Sequence, residues 1–500
     1  MDAFDLDNPL IQFDDNNEQT WTIRHAVEGV QIFGGIGSGK TSGSGRMIAL
    51  KYLRHDFGGL ILTVKPDEKS AWQEYCKLAG RSNDLIIIEP GGTACFNFLQ
   101  YESSQAFGKE AITENIVEVL KTVIRASEEK DTGKSDDAFW ETALDMLIFN
   151  VIDLCRIAYG TLSVQKMYDI VQSIPQKGQG LQSNQTEIKE FQRAFTKARD
   201  NIKSKIDQWY DSLPIAKQRA VDNEPAPNNT VLEAVPEARL LSFLDQFFFD
   251  GFKNLSEKTR SIIDFTFAGF LFRLLRDPVY SLFCKGDSTV VPEDCLKGKI
   301  ILINLPVKLY HKVGRDCQIL FKYIWQRAME KRQVKSSSRA VFLWADEAQH
   351  FLHEHDADFQ ATARSSKIST VYITQNLPNY YAAMGGQKAD YRVKSFLGTL
   401  ATKIFHSNAD IETNNYASEL IGNSDKTNPS FQVTMGNDSF SQSKTIGLVN
   451  ERLVKPEKFA GMKTGGPKNN YAVEGYIHRQ GDPLFDGKNY KKTTFNQHRI

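Results

Sequence analysis

Short apolar runs bounded by turn residues recur in both flanks of the chain, at 29–33, 57–64 (FGGLILTV), 84–89, 298–305 (GKIILINL), 340–346 (AVFLWAD), 369–374 and 400–405. They are rich in Ile, Val and Leu and do not alternate with polar residues, the pattern of strands covered on both faces. Segments 41–54, 317–332 and 409–421 lie between them with apolar residues at helical spacing. The flanks therefore predict an α/β fold with a mostly parallel sheet.

From 105 to 285 the texture changes: 109–126, 138–158, 187–212 and 257–276 repeat apolar residues every three or four positions, and no strand-like run separates them. The pattern predicts an all-α domain at 105–285 inserted into an α/β domain made of 1–104 and 286–500. A Gln- and Asn-rich stretch at 176–186 and a Pro/Asn loop at 222–229 punctuate the insertion. The polar segment 423–446, rich in Ser, Asn and Gly, is expected to be an exposed hairpin or a mobile loop.

Composition mainly removes alternatives. Five hundred residues exceed what one core serves, and 41% hydrophobic, 11% aromatic and 24% charged residues are ordinary globular values, so a largely disordered chain is excluded. The 61 basic and 61 acidic residues balance, so any nucleic-acid contact must be local. Cys76, Cys95, Cys155, Cys284, Cys295 and Cys317 form no C-x-x-C pair, which points to free thiols in a reducing cytosol. The acidic, polar start lacks the basic and apolar regions of a secretory signal. The apolar stretches 142–159 and 261–276 are broken by Asp145, Asp153 and Arg156, and by Asp264 and Arg273, so no transmembrane helix is expected.

The candidate chemistry begins at Gly34-Gly35-Ile36-Gly37-Ser38-Gly39-Lys40-Thr41, followed by Ser42. It fits G-x-x-x-x-G-K-[ST] directly after a strand and before a helix, the context a P-loop requires. Glycines let successive N–H groups point at phosphates, and the helix N-terminus adds a favourable dipole. Lys40 is expected to reach the β- and γ-phosphates of ATP, and Thr41 to offer its hydroxyl to Mg²⁺. The strand AVFLWAD ends in Asp346, a candidate for the metal, and Glu347 follows as the candidate that polarises the attacking water. Gln375, at the end of ISTVYITQ, could touch the γ-phosphate or be a plain strand-end polar residue. Arg364 could reach a neighbouring subunit's nucleotide or form a surface salt bridge. Lys189, Arg193 and Lys197 share a helix face that reads first as solvated, and FLDQFFFDGF at 243–252 reads first as helical core.

The order HAVEGVQIFGGIGSGKTSG, GGLILTVKPDE, DLIIIEP, FNFL, a helical insertion, FLWADEAQ, TQNLP and TKIFHSNADIETNNYASELIG resembles the type IV secretion coupling proteins, TraG/TraD-like conjugative ATPases within the HerA/FtsK group. The resemblance runs from about residue 20 to 480. It implies a RecA-like nucleotide-binding domain with a helical domain, a homo-hexameric ring with ATP sites between subunits, and DNA in a central channel. Lys40, Thr41, Asp346, Glu347 and Gln375 fall on its motif positions, and Arg364 where its trans-acting arginine is expected. The function expected is a cytoplasmic ATPase, peripheral at the inner membrane face, that moves DNA or a protein–DNA complex with membrane-channel proteins as partners. The alternatives are a translocase of defence or repair working with a separate nuclease, and an ATP-gated adaptor recruiting protein cargo.

Overall fold

The structure, a computed structural model, describes residues 3–13, 19–104, 112–128, 138–176, 189–224, 229–385, 389–436, 439–481, 483 and 485–498. Its contacts divide the chain into two units, Met1–Ile87, Glu128–Thr132 and Pro292–Ile500 in one, Ile88–Ser127 and Gly133–Val291 in the other.

In the first unit every apolar run of the flanks is a strand: β1 (Val30–Phe33), β2 (Gly58–Leu62), β3 (Leu85–Ile88), β4 (Ile300–Ile303), β5 (Val341–Asp346), β6 (Ile368–Thr374) and β7 (Thr402–His406). Two further strands, β8 (Ala472–Arg479) and β9 (Tyr490–Asn496), complete a nine-stranded sheet in the order β9-β8-β7-β1-β6-β5-β2-β4-β3. The pairings from β7 through β1, β6, β5 and β2 to β4 are parallel. The β8 strand runs antiparallel to both β7 and β9, with Gly475 opposite His406 and Ala472 opposite Asn496. The sequence signal missed this pair because β9 (YKKTTFN) is polar and largely uncovered, as an edge strand can be.

The parallel strands are buried along their length because helices cover both faces. Arg46–Arg54 packs Ile48, Ala49, Tyr52 and Leu53 into a core with Ile32, Ile61, Leu302, Phe342, Val371 and Ile404. Burying one such aliphatic or aromatic side chain stabilises by roughly 1.5–3 kcal/mol. Trp72 stacks on Phe342 at 5.8 Å, and a Cβ at Gly59 would lie 2.5 Å from ring carbons of Phe342, so β2 needs glycine there. The helix Val307–Glu330 is pinned to the end of β2 by Gln318, whose amide accepts from Thr63 N (2.6 Å) and donates to Thr63 O (2.9 Å).

Asn423–Gly436 and Ser439–Arg452 form a separate antiparallel ribbon. The expected hairpin is present, and its ladder continues past 446 to Arg452 opposite Asn423. The register puts Pro429 opposite Ile446 and Thr427 opposite Leu448, so Pro429, Phe431, Ile446 and Leu448 share one face, and all are exposed.

The second unit is all-helical among the described residues, including Ile112–Glu128, Ala138–Tyr159, Val164–Ser173, Glu190–Asp211 and Glu257–Leu274. The aromatic cluster is core only in part: Leu244, Phe248 and Phe252 are buried and Phe248 packs edge-on to Phe191 at 5.1 Å and to Phe195 at 5.7 Å, whereas Phe243 is exposed. The basic stripe is compensated, with Arg193 bonded to Glu190 (3.1 Å) and Lys197 over the Tyr159 ring (4.9 Å). Nearby, Arg199 pairs with Asp245 and Lys205 with Glu237. Of the stretches 176–186 and 222–229, residues 177–186 and 225–228 lie outside the described residues. None of the six cysteines forms a disulfide. No single described helix is long and apolar enough to cross a membrane; the one helix pair that passes together, Glu141–Tyr159 with Val164–Ser173, is bent by 112°.

Candidate nucleotide-binding site

The parallel strands β1, β5, β6 and β7 end at one edge of the sheet, where the P-loop and the acidic pair meet. Gly34–Lys40 leaves β1, and Thr41–Gly45 winds as a π-turn into the helix Arg46–Arg54. The loop is anchored at its root by Gly34 N donating to Thr374 O (3.3 Å) and Gly35 N to Ser407 O (2.8 Å). Gly37 and Gly39 have φ of 70° and 81°, and a Cβ on Gly39 would also strike Val473, so both positions favour glycine. Ile36 stands at the loop tip, 90% exposed. Ser38 is buried and its hydroxyl has no hydrogen-bond partner, which suits a site awaiting a phosphate oxygen.

Lys40, Thr41, Asp346, Glu347 and Gln375 are brought together. Thr41 Oγ1 donates to Asp346 Oδ2 at 2.8 Å, and Asp346 Oδ1 accepts from Glu347 N at 2.9 Å. Lys40 Nζ lies 3.9 Å from Glu347 Oε1, and Lys65 Nζ 3.7 Å from the same oxygen. Gln349 Nε2 donates to Glu347 Oε2 (3.0 Å) and Gln375 Nε2 to Oε1 (3.2 Å). Glu347 adopts left-handed φ/ψ of 51° and 51°, which aims a residue just past the strand back over the sheet edge.

The two carboxylates are tuned apart. Burial raises the Glu347 pKa, but the Gln349 bond, the Lys40 charge, the Gln375 bond and Lys65 outweigh it and hold the group below the usual glutamate range. Asp346 moves the other way: burial pushes it up and the neighbouring Glu347 adds to that, against Lys65, Thr41 and Lys40. Sequence reasoning missed Glu68. Its Oε2 accepts from Val64 N (2.8 Å), its Oε1 is buried without a partner, and burial plus the charge of Asp346 push its carboxyl well above the ordinary range. Its only sequence signal is VKPDEK following an apolar strand, where a third acid joins the cavity lined by Thr41, Arg46 and Asp346.

Also unanticipated is His406 at the end of β7. His406 Nδ1 lies 2.9 Å from the Glu474 carbonyl, which can only accept, so Nδ1 carries the proton and Nε2 accepts from Ser44 Oγ at 2.6 Å. Burial holds this imidazole at about 4, hence neutral. The P-loop helix is thereby tied to β8.

The residues fit a magnesium ion. Thr41 and Asp346 offer hard oxygen donors already in contact, and among the described residues no cluster of three or more His, Cys, Asp or Glu could hold a metal alone. Mg²⁺ suits such a site because one or two protein oxygens plus substrate phosphates and waters complete its shell. Arg364 is not part of this constellation: it caps the helix Asp356–Ala363, precedes β6, and pairs with Glu28 at 3.4 Å.

Residues 340–464 match the family model described as "TraM recognition site of TraD and TraG". Among curated proteins none matches the chain by sequence. Among solved structures, the bacterial conjugative coupling protein TrwBdeltaN70 is 13% identical over 95% of this chain and 87% of its own, with a TM-score of 0.57. TrwB with the non-hydrolysable ATP analogue ADPNP is 12% identical over 95% and 88%, with a TM-score of 0.58. TrwB with ADP and Mg²⁺ is 12% identical over 96% and 88%, also with a TM-score of 0.58. The fold is the RecA-like P-loop α/β fold expected from the sequence.

Proposed function

We propose that this chain, a type IV coupling protein by its TraG/TraD segment and its TrwB-like fold, is an ATPase that moves DNA or a protein–DNA complex through a ring of six copies. The observation that carries the reading is the convergence of Lys40, Thr41, Asp346, Glu347 and Gln375 at one sheet edge.

The P-loop amides and Lys40 bind and orient the β- and γ-phosphates of ATP. Thr41 and Asp346 would hold Mg²⁺, which when bound would supply charge neutralisation on those phosphates. Glu347, kept ionised by its amide donors and two lysines, accepts a hydrogen bond from the attacking water and aligns it with the γ-phosphate. Gln375 bonds Glu347 and directly follows β6, which pairs with β1, so loss of the γ-phosphate can be passed from Glu347 into the strand. Arg364 acts in trans, completing the neighbouring subunit's site.

With a net charge of zero, the DNA contact is local and sequence-independent, and its strength falls with salt. The ring works at the inner face of the membrane with channel proteins as partners. Service in defence or repair beside a separate nuclease would keep the same motor. A protein-recruiting role finds support in the exposed ribbon Asn423–Arg452, which lies inside the matched segment.

The test is ATP hydrolysis across a protein concentration series, with and without single- and double-stranded DNA, beside Lys40→Ala and Glu347→Gln. The expected result is DNA-stimulated turnover that rises cooperatively with concentration and is absent from both variants. Turnover indifferent to DNA would reject translocation of DNA and favour protein cargo.

A further inference from the structure

We propose that Tyr471, Gln497 and His498 form the nucleoside subsite, holding the base and ribose of the nucleotide whose phosphates the P-loop binds. The inference rests on the ATP-binding reading and names residues that no motif marks.

Sheet order sets the direction in which a bound nucleotide must lie. The P-loop leaves β1; Asp346, Glu347 and Gln375, which mark the γ-phosphate end, lie at or just past the ends of β5 and β6 to one side of it. The nucleoside must extend to the other side, toward β7, β8 and β9. There the antiparallel turn of the sheet matters. Because β8 runs against β7, its start lies at the same edge as the ends of the parallel strands, and so does the end of β9, with Ala472 opposite Asn496. Gly475 is level with His406, the last residue of β7, so residues 472–474 overhang the parallel strands by about 10 Å. Val473 closes on the P-loop at Gly39 and Gly43.

Gln497 extends from the end of β9 onto the P-loop helix: its Nε2 donates to Ser42 Oγ at 2.7 Å, and its Oε1 accepts from Gly466 N at 2.8 Å. That second bond fixes the amide orientation and leaves one N–H of Nε2 beside Ser42 for a phosphate or ribose oxygen. Tyr471 immediately precedes β8 with a φ of 59°, following Asn470 at 51°, and its ring meets His498 at 3.9 Å and 70°. Both rings remain open, Tyr471 being 36% exposed and His498 exposed. A polar amide at the phosphate end and a pair of open rings beyond it match a nucleotide in order: phosphate, ribose, base. Aromatic rings grip any base through its π-face.

The experiment compares binding of Mg-ATP and of Mg-tripolyphosphate, which has the phosphates and no nucleoside, to the full chain by titration calorimetry. Tyr471→Ala is expected to weaken ATP about tenfold, the scale of one base–aromatic contact, and to leave tripolyphosphate unchanged. Tyr471→Phe should restore wild-type affinity. Equal weakening of both ligands, or no change in either, overturns the proposal. Failure of the unmodified chain to bind either ligand would instead reject the ATP reading itself, and Lys40→Ala, which should weaken both ligands, tells the two failures apart.

Discussion

The Gln375 amide donates to Glu347 Oε1 across 3.2 Å, so the residue just past β6 holds the acid that follows β5. This bond is one of the contributions that keep Glu347 below the ordinary glutamate range. Gln375→Ala should therefore raise the Glu347 pKa and move the acidic limb of the kcat/KM profile to higher pH. Hydrolysis should also fall, by about tenfold for the loss of orientation, while Glu347→Gln costs at least 10²-fold, the scale of general base catalysis. A pH-rate profile for each variant checks both. An unshifted limb in Gln375→Ala would make the contact incidental.

Thr41 Oγ1 donates to Asp346 Oδ2 at 2.8 Å, so the two side chains that would hold the metal position each other directly. Chelation should abolish hydrolysis yet leave the melting temperature unchanged. Thr41→Ala should raise the Mg²⁺ concentration for half-maximal activity by about 10–100-fold. Magnesium titrations and thermal melts, with and without chelator, measure the two effects separately.

The legible parts of this chain share a physical cause. Buried parallel strands must be apolar throughout, so β1 to β7 announce themselves as unbroken runs, and a P-loop needs glycine at positions such as Gly37 and Gly39, where φ is positive. The β8–β9 pair escaped because an edge strand with one open face tolerates Lys491, Lys492 and Thr493, which read as loop. Glu68 and His406 escaped for another reason. Their importance comes from being buried beside Asp346 and between Ser44 and Glu474, and burial of a single polar residue leaves no periodic trace. Arg364 was visible as a cation before a strand, but its pairing with Glu28 was not, since its partner lies far away in sequence.

Neutral His406 links the P-loop helix to β8, and burial holds its pKa at about 4 against an ordinary 6.5. Between those values the unfolded chain binds the proton and the folded chain resists it. The contribution is therefore fully present above pH 6.5 and lost as pH falls toward 4. Each unit of difference is worth about 1.4 kcal/mol, so lowering the pH from 7 to 5 should cost about 2 kcal/mol at this site. Urea midpoints at the two pH values, compared with His406→Gln, check it: the variant should be weaker at pH 7 and less sensitive to acid.

Lys322 is fully buried, with its ammonium 2.6 Å from an Asp356 oxygen and bonded to Phe351 O at 2.9 Å. Asp356 also receives Gln326 Nε2 and His353 N, so the turn after Glu347 is tied to the helix Val307–Glu330. Lys322→Met removes one charge and strands the other, at a cost of about 3–5 kcal/mol. Adding Asp356→Leu should recover much of that loss. Denaturant unfolding of the single and double variants decides whether the loss comes from the unpaired carboxylate or from the missing lysine stem.

Arg364 lies four residues before β6 and Gln375 just beyond its end, so the seven residues of the strand, about 23 Å, separate it from the acids of its own chain. No side-chain movement covers that distance, and any catalytic contact must be made on a neighbouring copy. Glu28 holds Arg364 at 3.4 Å and Arg479 at 3.5 Å, which orients the guanidinium from its base. Lys40→Ala and Arg364→Ala should each be inactive alone. Mixed, they should recover part of the activity, because an Arg364 donated by the first variant can complete an intact P-loop on the second. Absence of recovery over a range of mixing ratios, with assembly confirmed by light scattering, would confine Arg364 to its surface pair with Glu28 and leave each site complete within a single chain.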